Sequence, residues 1–377
     1  MASASSVSGK DEGVMAGPDD SQASLDHHGG NLDAARRRFP AAREPWIDLS
    51  TGINAVPYPI GAISAQAWTR LPEPAAIAAL EAAAAARYGA SPARVIAAPG
   101  TQALIQILPR LIGARSIRVL GFTYAEHAAA WRAAGADVGV VEELTSLFPS
   151  LRAEGEAIQG LAYAGPWIAS PWARNDGCVA VVVNPNNPDG RLVGAADLRA
   201  LAGAMAERGG VLIVDEAFMD VVPGQSLIPT LPERGAIVLR SFGKTYGLAG
   251  LRLGFAVASP DWAPVLRVAI GPWAASGPAI EIGIRALADS AWLEATIARL
   301  GDDAGRLDAL LAEAGFSILG GCALYRLAAH EDAAAMFERL GNAAILVRSF
   351  ADRPHWLRFG IPHEEAHWAR LKRALAR

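Results

Sequence analysis

The chain is short of cysteine, of surplus charge and of uninterrupted apolar text, and each shortage removes a class of protein. Only two cysteines, Cys178 and Cys322, occur in 377 residues. Two distant thiols allow one bridge at most and form no CxxC pair, which excludes a disulfide scaffold and a cysteine-rich zinc site. No metal centre is expected, and a reducing, cytoplasmic setting fits best. Lys and Arg number 34 against 38 Asp and Glu, a net charge of −4 with 19% charged residues. No cationic surplus exists to neutralise a nucleic-acid backbone. The longest charge-free stretch, Leu49 to Thr69, is broken by Gly52, Pro57, Pro59 and Gly61, so it cannot cross a membrane. The opening text MASASSVSGKDEGVMAGPDDSQAS lacks the basic start and apolar core of a secretory leader. Its Ser, Gly, Asp and Ala offer no face to bury, and residues 1–25 are expected to be a disordered tail.

What is present is an apolar chain, 52% by composition, long enough for about two domains. After a short helical piece at Asn31–Phe39 and a turn-rich segment comes an alanine-rich helix from Ala75, closed by Gly89. A rhythm then begins. Strands are expected at Arg94–Ala98, Ser116–Leu120, Asp137–Val141, 178–184, 210–217, 236–242 and 254–258, with helices at Thr101–Leu111, Ala125–Ala134 and Ala195–Arg208 between them. Continuous apolar strands alternating with helices imply an α/β fold with a mostly parallel sheet covered on both faces. Ligands sit beyond the carboxyl ends of such strands. Residues 142–176 read as irregular. From Gly277 the text is helical and then supplies short strands in FSILG, ALYRLA, AILVRSF and HWLRFGI, an α+β pattern. The expected division is an N-terminal arm with part of the small domain at 26–65, a large domain at 66–275 and a small α+β domain at 276–377.

Four strand ends carry polar residues that a buried sheet would not choose for packing. In SFGKTYGLAGLRLG, Lys244 follows Ser241 and precedes Arg252. Neighbouring cations make a lysine lose its proton more readily and act as a nucleophile, and an Arg fork beside a Ser suits phosphate. In VLIVDEAF, Asp215 stands at the sheet mouth, where a carboxylate needs a cation or donor; a protonated pyridine nitrogen is such a partner. A magnesium-binding Asp of an ATPase would look similar, but no GxxxxGK[ST] segment exists in the chain. In VVVNPNNPDG the strand runs into Asn184, Asn186 and Asn187, which turn chemistry alone could explain. In AAPGTQALIQIL a strand turns into a helix at Gly100-Thr101-Gln102, whose free N–H groups can hold a phosphate. Taken singly, each segment is ordinary strand-end text.

In this order and spacing the four segments resemble the class I/II pyridoxal-phosphate enzymes of the aspartate aminotransferase fold, over roughly residues 45–377. The resemblance implies a seven-stranded, mostly parallel sheet and pyridoxal 5′-phosphate as cofactor. It implies that Lys244 is the catalytic lysine linked to the cofactor, that Asp215 pairs with the ring nitrogen and that Asn187 donates to the ring oxygen. Ser241, Arg252, Gly100, Thr101 and Gln102 would hold the phosphate, and Tyr124 in GFTYAEH would stack on the ring. Tyr58 in VPYP would reach the phosphate of a neighbouring subunit, which implies a homodimer with shared sites. Many relatives carry Tyr where this chain has Phe218, so the hydrogen bonding of the ring oxygen is expected to differ.

Two further segments narrow the resemblance. Arg358 in HWLRFGIP is similar to the family's carboxylate-binding arginine, and Arg348, ten residues earlier, could bind a second anion. The text His28-Gly29-Gly30-Asn31, followed by DLSTGIN with Asn54, looks like the opening of the threonine-phosphate decarboxylases of cobalamin synthesis. That likeness implies decarboxylation of L-threonine O-3-phosphate, with His28, Gly29, Asn54, Asn187, Arg348 and Arg358 around the substrate. The chain has Ala55 where those relatives have Pro. Within the same fold the alternative is a histidinol-phosphate aminotransferase. A non-catalytic regulator domain is disfavoured because Lys244, Asp215, Asn187 and Arg252 are all present.

Overall fold

A computed structural model describes residues 29–147, 178–222 and 224–376. The expected tail, His28 and most of the irregular stretch, with Trp167 and Trp172, lie outside the described residues.

The first strand, β1 (Ile47–Asp48), belongs to the N-terminal segment. Seven strands follow: β2 (Val95–Ala98), β3 (Ser116–Leu120), β4 (Asp137–Val141), β5 (Val179–Val183), β6 (Val211–Asp215), β7 (Ala236–Ser241) and β8 (Gly254–Ala258). They form one sheet in the order β2-β8-β7-β6-β5-β3-β4, in which β8 alone runs against the rest. The central strands β5 and β6 are buried at every position, as their unbroken VAVVV and VLIV text requires when both faces are covered.

Alternate strand residues point to opposite faces, so the sheet separates two cores. Val182, Leu212 and Val238 pack on one face with Leu80, Leu198 and Ile282, from helices Pro74–Tyr88, Ala195–Ala206 and Gly277–Ala288. Val181, Ile213 and Leu239 pack on the other with Leu104, Trp131 and Leu266, from helices Thr101–Ile112, Ala125–Ala133 and Ala263–Ile270. The sequence division at 276 thus cuts before a helix that belongs to the large sheet's core. Ile280, Ile282, Ala286 and Leu287 of that helix are buried in the core on that side of the sheet, where the helix packs along Pro74–Tyr88, which the amphipathic pattern of 277–288 alone could not reveal.

The C-terminal part adds β9 (Ser317–Cys322), β10 (Tyr325–Ala329), β11 (Ile345–Leu346), β12 (Arg348–Ser349) and β13 (Trp356–Gly360). A second, antiparallel sheet has the order β12-β13-β10-β9, while β11 pairs in parallel with β1. The expected single strand AILVRSF is therefore split between two sheets. Its core joins Leu307, Phe337, Leu340 and Phe359 to Ala34, Ala35, Phe39, Ile47 and Leu49 from the N-terminal segment. The helical text after Gly277 also breaks once. Asp289 ends the first helix, and its carboxylate accepts the Trp292 N–H to start the second, Ser290–Glu313. Among the described residues no helix is long and apolar enough to cross a membrane.

Candidate active site

The carboxyl ends of β5, β6 and β7 open into a cavity of about 340 Å³. Its lining contains Gly100, Thr101, Gln102, Tyr124, Asn187, Asp215, Phe218, Ser241, Lys244 and Arg252. The four strand-end segments thus converge, as the geometry of a parallel sheet demands.

Asp215 ends β6 almost without exposure. Its Oδ1 accepts the Ala217 N–H at 3.0 Å, and its Oδ2 lies 2.8 Å from Nε2 of the buried His127. A carboxylate can only accept, so His127 donates through Nε2. This histidine escaped the sequence reading. The signal that could have found it is its position one helical turn after Tyr124, in YAEH.

Lys244 sits on a single helical turn, Phe242–Thr245, directly after β7. Burial lowers its ammonium to about 8, with Arg358 and Arg252 acting in the same direction and Asp215 opposing. The nucleophilic amine is therefore populated near neutral pH. Its Nζ stands 5.6 Å from the centre of the Phe218 ring. That ring packs edge-on against Tyr325 at 5.0 Å. The Tyr325 hydroxyl donates to the Asn186 carbonyl at 2.5 Å, so it does not replace the hydroxyl that Phe218 lacks.

The anion cradle has a local cause. Gly100 has φ 85° and caps helix Thr101–Ile112 without a side-chain bond, leaving first-turn N–H groups for a ligand. A Cβ at Gly100 would sit 2.8 Å from Nη2 of Arg252, so glycine lets the guanidinium close over the turn. Tyr124 faces the same space, with its hydroxyl 3.3 Å from Gln102 Oε1. Burial pushes that hydroxyl up to about 12, keeping it protonated.

Of the three asparagines in NPNN, two are structural. Asn184 exchanges bonds with Val193, and Asn186 donates to the Phe122 carbonyl and Asp189. Asn187 is the one that lines the cavity, and its Oδ1 accepts from Arg358. Arg358 is buried on β13. Its Nη2 donates to the Ser50 carbonyl at 2.5 Å, and its Nε has no protein partner. A buried donor of this kind calls for an acceptor.

One expectation needs correction. Asn54 does not face the cavity. It is buried, its Nδ2 donates to the Thr245 carbonyl and its Oδ1 accepts from Arg299 and the Val56 N–H. Within its own chain the Tyr58 hydroxyl bonds Asp289 at 3.3 Å, and its ring packs edge-on to Tyr246 and Trp292. Arg348 lies opposite Arg358 in the strand register, so the two side chains leave the same face of the sheet, and its guanidinium stands over Phe350. Gly29 packs where a Cβ would collide with the Ser50 carbonyl. The Gly30 N–H binds Ser50 Oγ at 2.7 Å. Ser50 thus ties the Gly-Gly segment through its hydroxyl to Arg358, which its own carbonyl holds.

The donor set fits pyridoxal 5′-phosphate: a phosphate cradle at Thr101, Gln102, Ser241 and Arg252, an anionic partner for the ring nitrogen at Asp215, and a depressed amine at Lys244. The sequence model of the family described as aminotransferase class I and II matches residues 31–375, and the chain belongs to that family. It is 42% identical over 348 residues to the threonine-phosphate decarboxylase of Pseudomonas aeruginosa, covering 92% of this chain and 96% of the relative. It is 39% identical over 352 residues to that of Sinorhizobium sp, covering 93% and 97%. In fold it is similar to the histidinol-phosphate aminotransferase of Sinorhizobium meliloti solved in complex with pyridoxal-5′-phosphate, with a TM-score of 0.74, 22% identity and coverage of 91% and 93%.

Proposed function

We infer that the protein is a pyridoxal-phosphate-dependent carboxy-lyase, converting L-threonine O-3-phosphate to (R)-1-amino-2-propanol O-2-phosphate and carbon dioxide for the aminopropanol arm of cobalamin. The observation that carries this reading is the near end-to-end identity of 42% and 39% to two threonine-phosphate decarboxylases, together with a cavity that holds the required groups. When bound, the cofactor supplies an electrophilic carbon for the substrate amine and a ring that accepts the electron pair of a bond at Cα.

Each remaining role falls to a residue of this chain. Asp215, held by His127 and the Ala217 N–H, keeps the ring nitrogen protonated. Asn187 donates to the ring oxygen while its Oδ1 stays occupied by Arg358. Arg358, bonded to Asn187 of the cavity lining, would receive the substrate carboxylate. Which bond at Cα gives up its electron pair would depend on how the protein holds the substrate, and anchoring it by its phosphate, with His28 as contact, would present the carboxylate for loss. Lys244, with its ammonium lowered to about 8, can hand a proton to Cα near neutral pH.

The same reading makes the protein a cytoplasmic homodimer. Cys178 and Cys322 are both free thiols. Ile60, Trp68 and Leu71 stand exposed on the stretch that packs along helix Gly277–Ala288, an apolar surface of the kind subunits cover. A single-chain mass by sedimentation equilibrium would remove the dimer. For the reaction, holoenzyme is incubated with threonine phosphate and no keto acid, and release of carbon dioxide is expected. No release, with histidinol phosphate and 2-oxoglutarate reacting instead, overturns the assignment in favour of an aminotransferase.

A further inference from the structure

The carbonyls of Lys244, Thr245 and Tyr246 close the one-turn helix that carries the lysine, and all three are held by a single strap. The Asn54 N–H donates to Lys244 O at 2.9 Å, Asn54 Nδ2 to Thr245 O at 2.9 Å and the Tyr58 N–H to Tyr246 O at 2.8 Å. The Asn54 amide is locked from behind. Its Oδ1 accepts from the Val56 N–H at 3.0 Å and from Arg299 Nη2 at 2.8 Å, which orients Nδ2 toward Thr245. Arg299 belongs to helix Ser290–Glu313 and is itself braced by Asp303 at 3.0 Å. That helix contributes Leu300 to the cluster around Phe218 and Tyr325, and Leu307 and Leu311 to the C-terminal core. A helix anchored in the C-terminal core thus reaches the backbone of the lysine through one buried amide.

We propose that Arg299 and Asn54 are a positioning pair that places the Lys244 amine for attack on the cofactor's aldehyde carbon. The inference rests on the reading of Lys244 as the cofactor lysine. It adds two residues that touch neither cofactor nor substrate. The charged groups set around the Lys244 ammonium are Arg358, Asp215 and Arg252, whereas Arg299 connects to the lysine's turn through the Asn54 amide, so its influence is expected to run through geometry.

The test uses full-length cofactor-free protein mixed with pyridoxal 5′-phosphate, following growth of the visible absorbance of the lysine-linked cofactor across pH. Arg299→Met is expected to slow this reaction about tenfold, the worth of one charge-assisted hydrogen bond, and to move its pH midpoint. Arg299→Lys should restore most of the rate. Asn54→Ala should match Arg299→Met or exceed it, and since Arg299 is partly exposed, its variant keeps the test valid if Asn54→Ala fails to fold. A rate within twofold of wild type and an unmoved midpoint overturn the proposal, even where the thermal midpoint has fallen, because that pattern marks a merely structural role. If the wild-type protein itself gains no absorbance, the reading of Lys244 fails and the positioning role falls with it.

Discussion

Lys244→Met removes the amine but keeps an unbranched apolar side chain, and so separates the cost of holding the ammonium from its chemical use. In the folded protein that ammonium titrates at about 8, chiefly through burial, whereas an unfolded lysine titrates near ~10.4. The gap corresponds to about 3 kcal/mol at most, because the side chain is partly open to the cavity mouth and solvent there screens part of it. Between the two values the unfolded chain holds a proton that the folded chain has released. Wild-type stability therefore rises with pH through that window, and the full cost is present below its lower edge. The cofactor-free variant is expected to be more stable than cofactor-free wild type by about 2–3 kcal/mol at about pH 7, with the difference fading toward about pH 10.5. Denaturant unfolding of both proteins across pH measures it. The chain has only three lysines, Lys10, Lys244 and Lys372, so NMR of 13C-methylated lysine reads the Lys244 titration directly. Equal stability at neutral pH, or a difference that ignores pH, would refute the reasoning. Turnover of the variant should fall by roughly several orders of magnitude, as expected on losing a covalent catalyst.

Arg358→Lys keeps the charge but loses the planar fork that serves Asn187, Ser50 and the unpartnered Nε together. KM for threonine phosphate should rise about 10- to 100-fold, the range for losing one charge-assisted bond; a change under about twofold argues against a carboxylate role. His28→Ala should raise KM for the phosphorylated substrate and leave cofactor capture untouched. An unchanged KM removes His28 from the phosphate site.

The cofactor end of the site was legible because its chemistry is local. Lys244, Asp215, Asn187 and Ser241 each stand at or just beyond the end of a strand whose apolar text announces it, and Gly100 and Arg252 lie in the turns beside two more strands. A parallel sheet then has to bring those ends to one edge. The supporting partners were not legible. His127 joins Asp215 across 88 residues, and Arg299 joins Asn54 across 245. Beyond the one-turn spacing of His127 from Tyr124, nothing in the text near these residues marks the partner, because a hydrogen bond between distant segments leaves no periodicity and no spacing rule.

The same contrast explains the misread residue. Asn54 lies in motif-like text and is polar, which made it a plausible ligand. Folding spends it on the protein, since a buried amide must find partners and the nearest ones are the Thr245 carbonyl and Arg299. By itself, the sequence determined the alternation of strands and helices, the chemical groups at the strand ends and the kind of cofactor they can hold, because backbone geometry and side-chain chemistry act over a few residues. Only the tertiary structure decided which polar residues face the cavity and which hold it in place, because that depends on what each group meets when distant segments are buried together.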